Sequence, residues 1–120
     1  MMSLAGDPLG GVDPAICDPE TLADLAGLFG NERLAHLLAS LDEEIIRRLG
    51  QATTTSTDLG AHAHALVSVS GTLGFMSLSR ACMALEQACL DSASLDGELQ
   101  AVQLEAARAR PMIAKLRDSL

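Results

Sequence analysis

Leu34, Leu37, Leu38, Leu41, Ile45 and Leu49 recur at steps of three and four, which lines them up on one face of an α-helix. The same period returns in Leu59, Ala63, Leu66 and Ser70, in Leu78, Cys82, Leu85 and Cys89, and in Leu99, Val102, Ala106, Ala109, Ile113 and Leu116. Gly50 and the polar run Gln51–Thr57 separate the first two stripes, with one hydroxyl of that run expected to cap the next helix. Ser-Gly-Thr-Leu-Gly (70–74) and Asp91–Gly97 separate the others. There is no strand signal and no internal repeat. Four one-sided helices on short connections must bury their stripes against one another, so the chain is predicted to be all-α: an antiparallel up-down-up-down four-helix bundle.

A short additional helix is predicted at the N-terminal side. Asp18 is a capping residue, Pro19 suits a first turn, Glu20 favours the positive helix end, and Leu22, Leu25, Ala26 and Phe29 follow at helical spacing. Gly30 stops it and Asn31 is the expected cap of the next. Residues 1–17 carry Gly and Pro without periodicity and read as a flexible arm, leaving 18–120 for the bundle. Pro111 interrupts the last stripe; a proline inside a helix costs about 3 kcal/mol, so a kink or break is expected there.

The 120 residues suffice for one domain, and its net charge of −8 excludes partners that need a basic surface. Nucleic acid requires a cationic stripe to displace phosphate counterions, and an anionic membrane is disfavoured on the same ground. No apolar run approaches the roughly 20 residues of a membrane span, and no signal-peptide pattern is visible. Cys17, Cys82 and Cys89 are odd in number, and the last two are two helical turns apart, too far for a disulfide within one helix. They read as reduced thiols used as small hydrophobes, and the expected location is cytoplasmic.

Two of the three histidines, His62 and His64, share one helix. On a wheel of about 100° per residue, His64 lies roughly 130° from the centre of the Leu59-Ala63-Leu66-Ser70 face. It has Gly60 one turn before it, Ser68 one turn after, and Ala61 and Ala65 on the outer face. A histidine ringed by small residues is open to a large partner. His62 flanks the core, with Asp58 four residues earlier as its expected companion. His36 is on a solvated face. The turn between the two central helices centres near residue 75, and His64 and Glu86 are each 11 residues from it. Residues equidistant from an antiparallel turn are level, so Glu86 can accept a hydrogen bond from His64 Nδ1–H and leave the Nε2 lone pair free.

Ala63-His64-Ala65-Leu66-Val67-Ser68-Val69-Ser70-Gly71-Thr72-Leu73-Gly74-Phe75, followed by Leu78, Cys82, Leu85 and Glu86, resembles the histidine phosphotransfer (HPt) domain family. That family carries Ala-His-x-Leu-Lys-Gly-Ser-Ala/Ser-x-x-Leu-Gly and then a helix ending in Leu-Glu. Asp18-Pro19-Glu20-x-Leu22-x-x-Leu25 with Gly30 resembles its opening helix, so the similarity spans about residues 18–118. The register selects His64, not His62, as the phosphorylated histidine, and sets Glu86 where the family often has a Gln or Glu bonded to it. Val67 stands where the family has Lys and Ser68 where it has Gly. Arg80 is a candidate substitute for the Lys, though nothing in the sequence places it at the site. Ser68 retains a hydroxyl for the imidazole or a phosphoryl oxygen.

The resemblance implies a phosphorelay intermediate of two-component signal transduction. His64 would accept a phosphoryl group from a receiver-domain aspartate and pass it to another receiver, with Glu86 orienting the ring. The receivers belong to hybrid sensor histidine kinases and response regulators. They would bring Mg²⁺ and a Lys, so no cofactor on this chain and no autonomous kinase activity are expected. Gly60, Ala61, Ala65, Val67 and Ser68 form the expected docking patch, with Leu22, Leu25 or Phe29 of the first helix adding to it. A monomer is the expected state. The alternative is a non-catalytic helical adaptor that binds a kinase or receiver without phosphotransfer. A carboxylate-bridged metal centre is disfavoured, since paired Glu-x-x-His spacings are missing.

Overall fold

The structure, a computed structural model, describes residues 11–120. Its described residues form α1 (Pro19–Phe29), α2 (Asn31–Leu49), α3 (Leu59–Thr72), α4 (Met76–Leu90) and α5 (Asp96–Ser119), with no strand among them. Each of α2 to α5 packs on the next and α5 returns to α2, closing a four-helix ring, while α1 packs on α2. The body is elongated, 52 × 22 × 21 Å.

The stripes read from the sequence are the core. Leu34, Leu38, Leu41, Ile45 and Leu49 of α2 meet Leu59, Ala63 and Leu66 of α3, Leu78, Cys82 and Leu85 of α4, and Leu99, Val102, Ala106, Ala109, Ile113 and Leu116 of α5 in one cluster. A Leu taken fully out of water contributes about 1.5–3 kcal/mol, so several such residues per helix outweigh the weak propensity of any one segment. Across the outer rim, Arg110 Nε donates to Asp42 Oδ1 at 2.8 Å, tying α5 to α2.

Asp18 caps α1 by accepting from the Glu20 amide at 3.1 Å and from Thr21 Oγ1 at 2.8 Å. Gly30 ends the helix with φ +85°, a conformation that favours glycine, and is itself the cap residue of α2, so Asn31 falls inside α2 rather than capping it. None of the hydroxyls before α3 caps it: Asp58 holds the cap position without a side-chain bond, and Ser56 Oγ accepts instead from the Thr53 amide at 3.0 Å. α5 runs unbroken through Pro111. The proline is exposed, while Ala109, Met112, Ile113 and Leu116 are buried on either side, and that packing holds the helix across its missing amide bond.

Of the arm expected over residues 1–17, residues 1–10 lie outside the described residues. Residues 11–17 form turns, and Cys17 is buried, its thiol donating to the Leu73 carbonyl at 3.5 Å. The Asp18 amide donates to the Gly74 carbonyl at 2.9 Å. These two bonds latch the start of α1 onto the turn between α3 and α4. Leu22 is fully buried by this arrangement and so does not add to an outer surface, whereas Leu25 is half-buried and Leu28 and Phe29 are exposed.

Candidate functional site

The α3–α4 hairpin is built around a three-residue turn, Leu73-Gly74-Phe75. α3 continues through Ser70, Gly71 and Thr72, three residues into the expected break, and the Ser70 hydroxyl donates to the Leu66 carbonyl within the helix. Gly74 takes φ +87° and the Phe75 amide closes back on the Ser70 carbonyl at 2.9 Å. Phe75 is fully buried and anchors the turn in the core.

Two close approaches then fix the spacing of the helices. Ser79 Oγ of α4 donates to the Val67 carbonyl of α3 at 2.9 Å, and a Cβ on Gly71 would stand 3.1 Å from that hydroxyl. At the far end a Cβ on Gly60 would stand 3.3 Å from Cys89 Cβ. Between these contacts His64 Nδ1 lies 2.6 Å from Glu86 Oε2. A carboxylate can only accept, so in the neutral ring Nδ1 carries the hydrogen and Nε2 keeps its lone pair. The His64 side chain is 75% exposed and that of Glu86 27%. The histidine thus projects into solvent from a base anchored to the neighbouring helix.

His64 borders a groove of about 590 Å³ lined by Ser56, Thr57, Leu59, Gly60, Ala61, Glu86, Cys89, Leu90 and Leu95. No Lys or Arg lines it, and the described residues hold no cluster of three or more His, Cys, Asp or Glu suited to a metal ion. Ala61 and Ser68 are exposed beside the histidine, and Gly60, Ala65 and Val67 are half-buried. Val67 packs against the core. Arg80 is at another place: it lines a hollow with Ile16, Asp18 and Gly74 near the turn. It precedes Glu86 by six residues, roughly 9 Å along the axis of α4.

His62 is held differently from the sequence expectation. Its ring does not use Asp58; Arg48 Nη1 of α2 lies 3.0 Å from His62 Nδ1. A guanidinium only donates, so here Nδ1 is the acceptor and the ring hydrogen is on Nε2. Arg48 Nε in turn donates to Glu44 Oε1 at 2.6 Å, and Arg47 pairs with the other oxygen of Glu44. Hydrogen bonds from Arg48 and then Arg47 hold the Glu44 carboxyl below the ordinary range. The long-range partner won because Arg48 is on the wall that α3 faces, a fact of helix packing that spacing along α3 does not contain.

Sequence reasoning did not single out Ser56, Thr57, Leu90 or Leu95 for the groove, and it used Cys89 only as a core position. Leu90 is exposed at the end of α4 and Leu95 is half-buried in the following loop; the mismatch of an exposed leucine at a helix end was the available signal. Cys17 and Cys82 behave as the small hydrophobes expected, with burial pushing both thiols up to about 12. None of the described helices is long and apolar enough to cross a membrane.

No curated protein and no solved structure matched the chain in searches of both. The family model of the Hpt domain matches residues 32–119, that is, α2 to α5 with His62, His64 and Glu86, and leaves α1 outside the matched stretch. With most of the chain covered by that match and its helices closed into a bundle, the protein belongs to the Hpt domain family, the histidine phosphotransfer modules of phosphorelay signalling.

Proposed function

We propose that His64 is the phosphoacceptor of a phosphorelay intermediate, taking a phosphoryl group from a receiver-domain aspartate and passing it to a second receiver. One observation carries this reading: the Glu86 carboxylate 2.6 Å from His64 Nδ1, which leaves Nε2 as an outward-facing lone pair. Nε2 attacks the phosphorus, the Nε2–P bond forms, the bond from phosphorus to the aspartyl oxygen breaks, and the carboxylate leaves with the electron pair. Nδ1 keeps its hydrogen, so the phosphorylated ring carries a positive charge that Glu86 offsets. Transfer to the second receiver is the reverse sequence.

No Lys or Arg is among the residues lining the groove, so neutralisation of the phosphoryl oxygens would fall to the partner, which would supply Mg²⁺ and a Lys for it. Gly60, Ala61, Ala65, Val67 and Ser68 give that partner a small-residue face around the histidine, and Ser68 offers a hydroxyl one turn away. Receivers of a hybrid sensor kinase and of a response regulator are the proposed donor and acceptor, in the cytoplasm, with this chain acting as a monomer. The test is incubation with a phosphorylated receiver. Acid-labile, base-stable phosphate should appear on this chain. Receiver binding with no such phosphate would replace the proposal by the adaptor reading, which the substitution of Val67 for Lys favours.

A further inference from the structure

The hydrogen bond between His64 and Glu86 spans two helices, so its length depends on how closely α3 approaches α4. Small side chains permit that approach on both sides of it. Toward the turn, Gly71 abuts Ser79, whose hydroxyl binds the Val67 carbonyl. Away from the turn, Gly60 abuts Cys89, and a Cβ at residue 60 would meet Cys89 Cβ at 3.3 Å. Gly60 is four residues before His64 and Cys89 three after Glu86, so this contact is the next rung of the same seam.

We infer that Gly60, acting against Cys89, is a positioning residue for His64: its missing side chain sets the helix spacing at which Glu86 can hold Nδ1–H. This rests on the proposal that His64 is the phosphoacceptor. Carbon atoms prefer about 3.5–4.0 Å, so a methyl group at residue 60 forces α3 and α4 apart by a few tenths of an ångström. A bond of 2.6 Å one turn away is at the short, charge-assisted end of the range, so that shift lengthens it toward an ordinary N–H···O distance and weakens its hold on the ring. Nothing else at residue 60 calls for glycine: it is within α3, where alanine is the better helix former. Gly97 in α5, with nothing within 4 Å of its would-be Cβ, is the matched control.

The experiment compares wild type, Gly60→Ala, Gly60→Ala with Cys89→Gly, and Gly97→Ala. Ring ¹⁵N shifts of His64 in the free protein report the tautomer, with His62 as internal reference. The rate of phosphorylation by phosphoramidate, which loses ammonia to the incoming Nε2, reports the nucleophile without a receiver. In Gly60→Ala the His64 ring is expected to move toward a tautomer mixture while His62 stays put. Phosphorylation should fall about three- to tenfold, as expected for a weakened charge-assisted hydrogen bond. Cys89→Gly should restore at least half of the loss, and Gly97→Ala should match wild type. An unchanged His64 tautomer in Gly60→Ala, or a loss that Cys89→Gly does not restore, overturns the inference; so does a loss of helical content that the double variant retains. If the tautomer shifts as expected but even wild-type His64 takes no phosphate, the spacing argument stands and the phosphoacceptor reading fails.

Discussion

His62 and His64 are two residues apart on one helix, yet their rings are fixed in opposite senses. Glu86 reaches Nδ1 of His64 from α4, and Arg48 reaches Nδ1 of His62 from α2. An acceptor partner forces the hydrogen onto Nδ1 and frees Nε2; a donor partner does the reverse. Exposure follows the same division, with His64 in solvent and His62 half-buried in the seam. On the proposal that His64 is the phosphoacceptor, what sets the two imidazoles apart is thus not their helix or their sequence neighbours but which adjoining helix holds the inner nitrogen.

The comparison can be broken most sharply by removing each ring in turn. His64→Gln should lower phosphate uptake from a phosphorylated receiver by roughly a thousandfold, since the covalent intermediate has nowhere else to form, while His62→Gln should stay within about threefold of wild type. Uptake lost in His62→Gln and kept in His64→Gln would invert the assignment. Removing the partners tests the cause. Glu86→Ala should slow transfer about tenfold, equivalent to some 1.4 kcal/mol of lost interaction, whereas Arg48→Ala should change it less than twofold. Equal effects from the two would show that ring fixation is not what matters.

The bundle was legible from the sequence because burial imposes its period directly: the leucine stripes of α2 to α5 are the observed core. The level pairing of His64 with Glu86 was also legible, because counting from a tight turn needs no knowledge of packing. The partner of His62 was not, since Arg48 arrives from a helix whose rotation about its own axis no local pattern encodes. Pro111 misled in part for a related reason: propensity spoke for a kink or a break, and with Ile113 and Leu116 buried beyond it the helix does not break. The latch of Cys17 and Asp18 on the turn was hidden within a stretch whose Gly and Pro content suggested only looseness.

Charge sharpens the contrast further. Val67→Lys would place an ammonium one turn from His64, and an exposed pairing of this kind contributes about 0.2–1 kcal/mol, so the phosphohistidine lifetime should rise up to about fivefold. No change in lifetime would mean that Val67 points the added group away from the phosphoryl oxygens. The smallest effect concerns the other seam. Because Glu44 has its folded pKa depressed by Arg48 and Arg47, its contribution to stability is present above the unfolded value near 4.3 and is lost as pH falls through the folded value. Glu44→Gln should therefore cost about 0.3–0.5 kcal/mol at neutral pH in chemical denaturation and nothing below the folded pKa. A cost that persists in acid would locate the effect in packing instead.

The bond from the Asp18 amide to the Gly74 carbonyl is made between main-chain atoms. Substituting side chains nearby leaves such a bond in place, short of proline at residue 18 or a clash at Gly74. The first helix is therefore moored to the histidine-bearing hairpin by something that mutation seldom touches. Its outward residues, Leu28 and Phe29, can be changed without loosening the tie of that helix to the hairpin. A scaffold of this kind separates the surface that the first helix presents from the seam that holds His64.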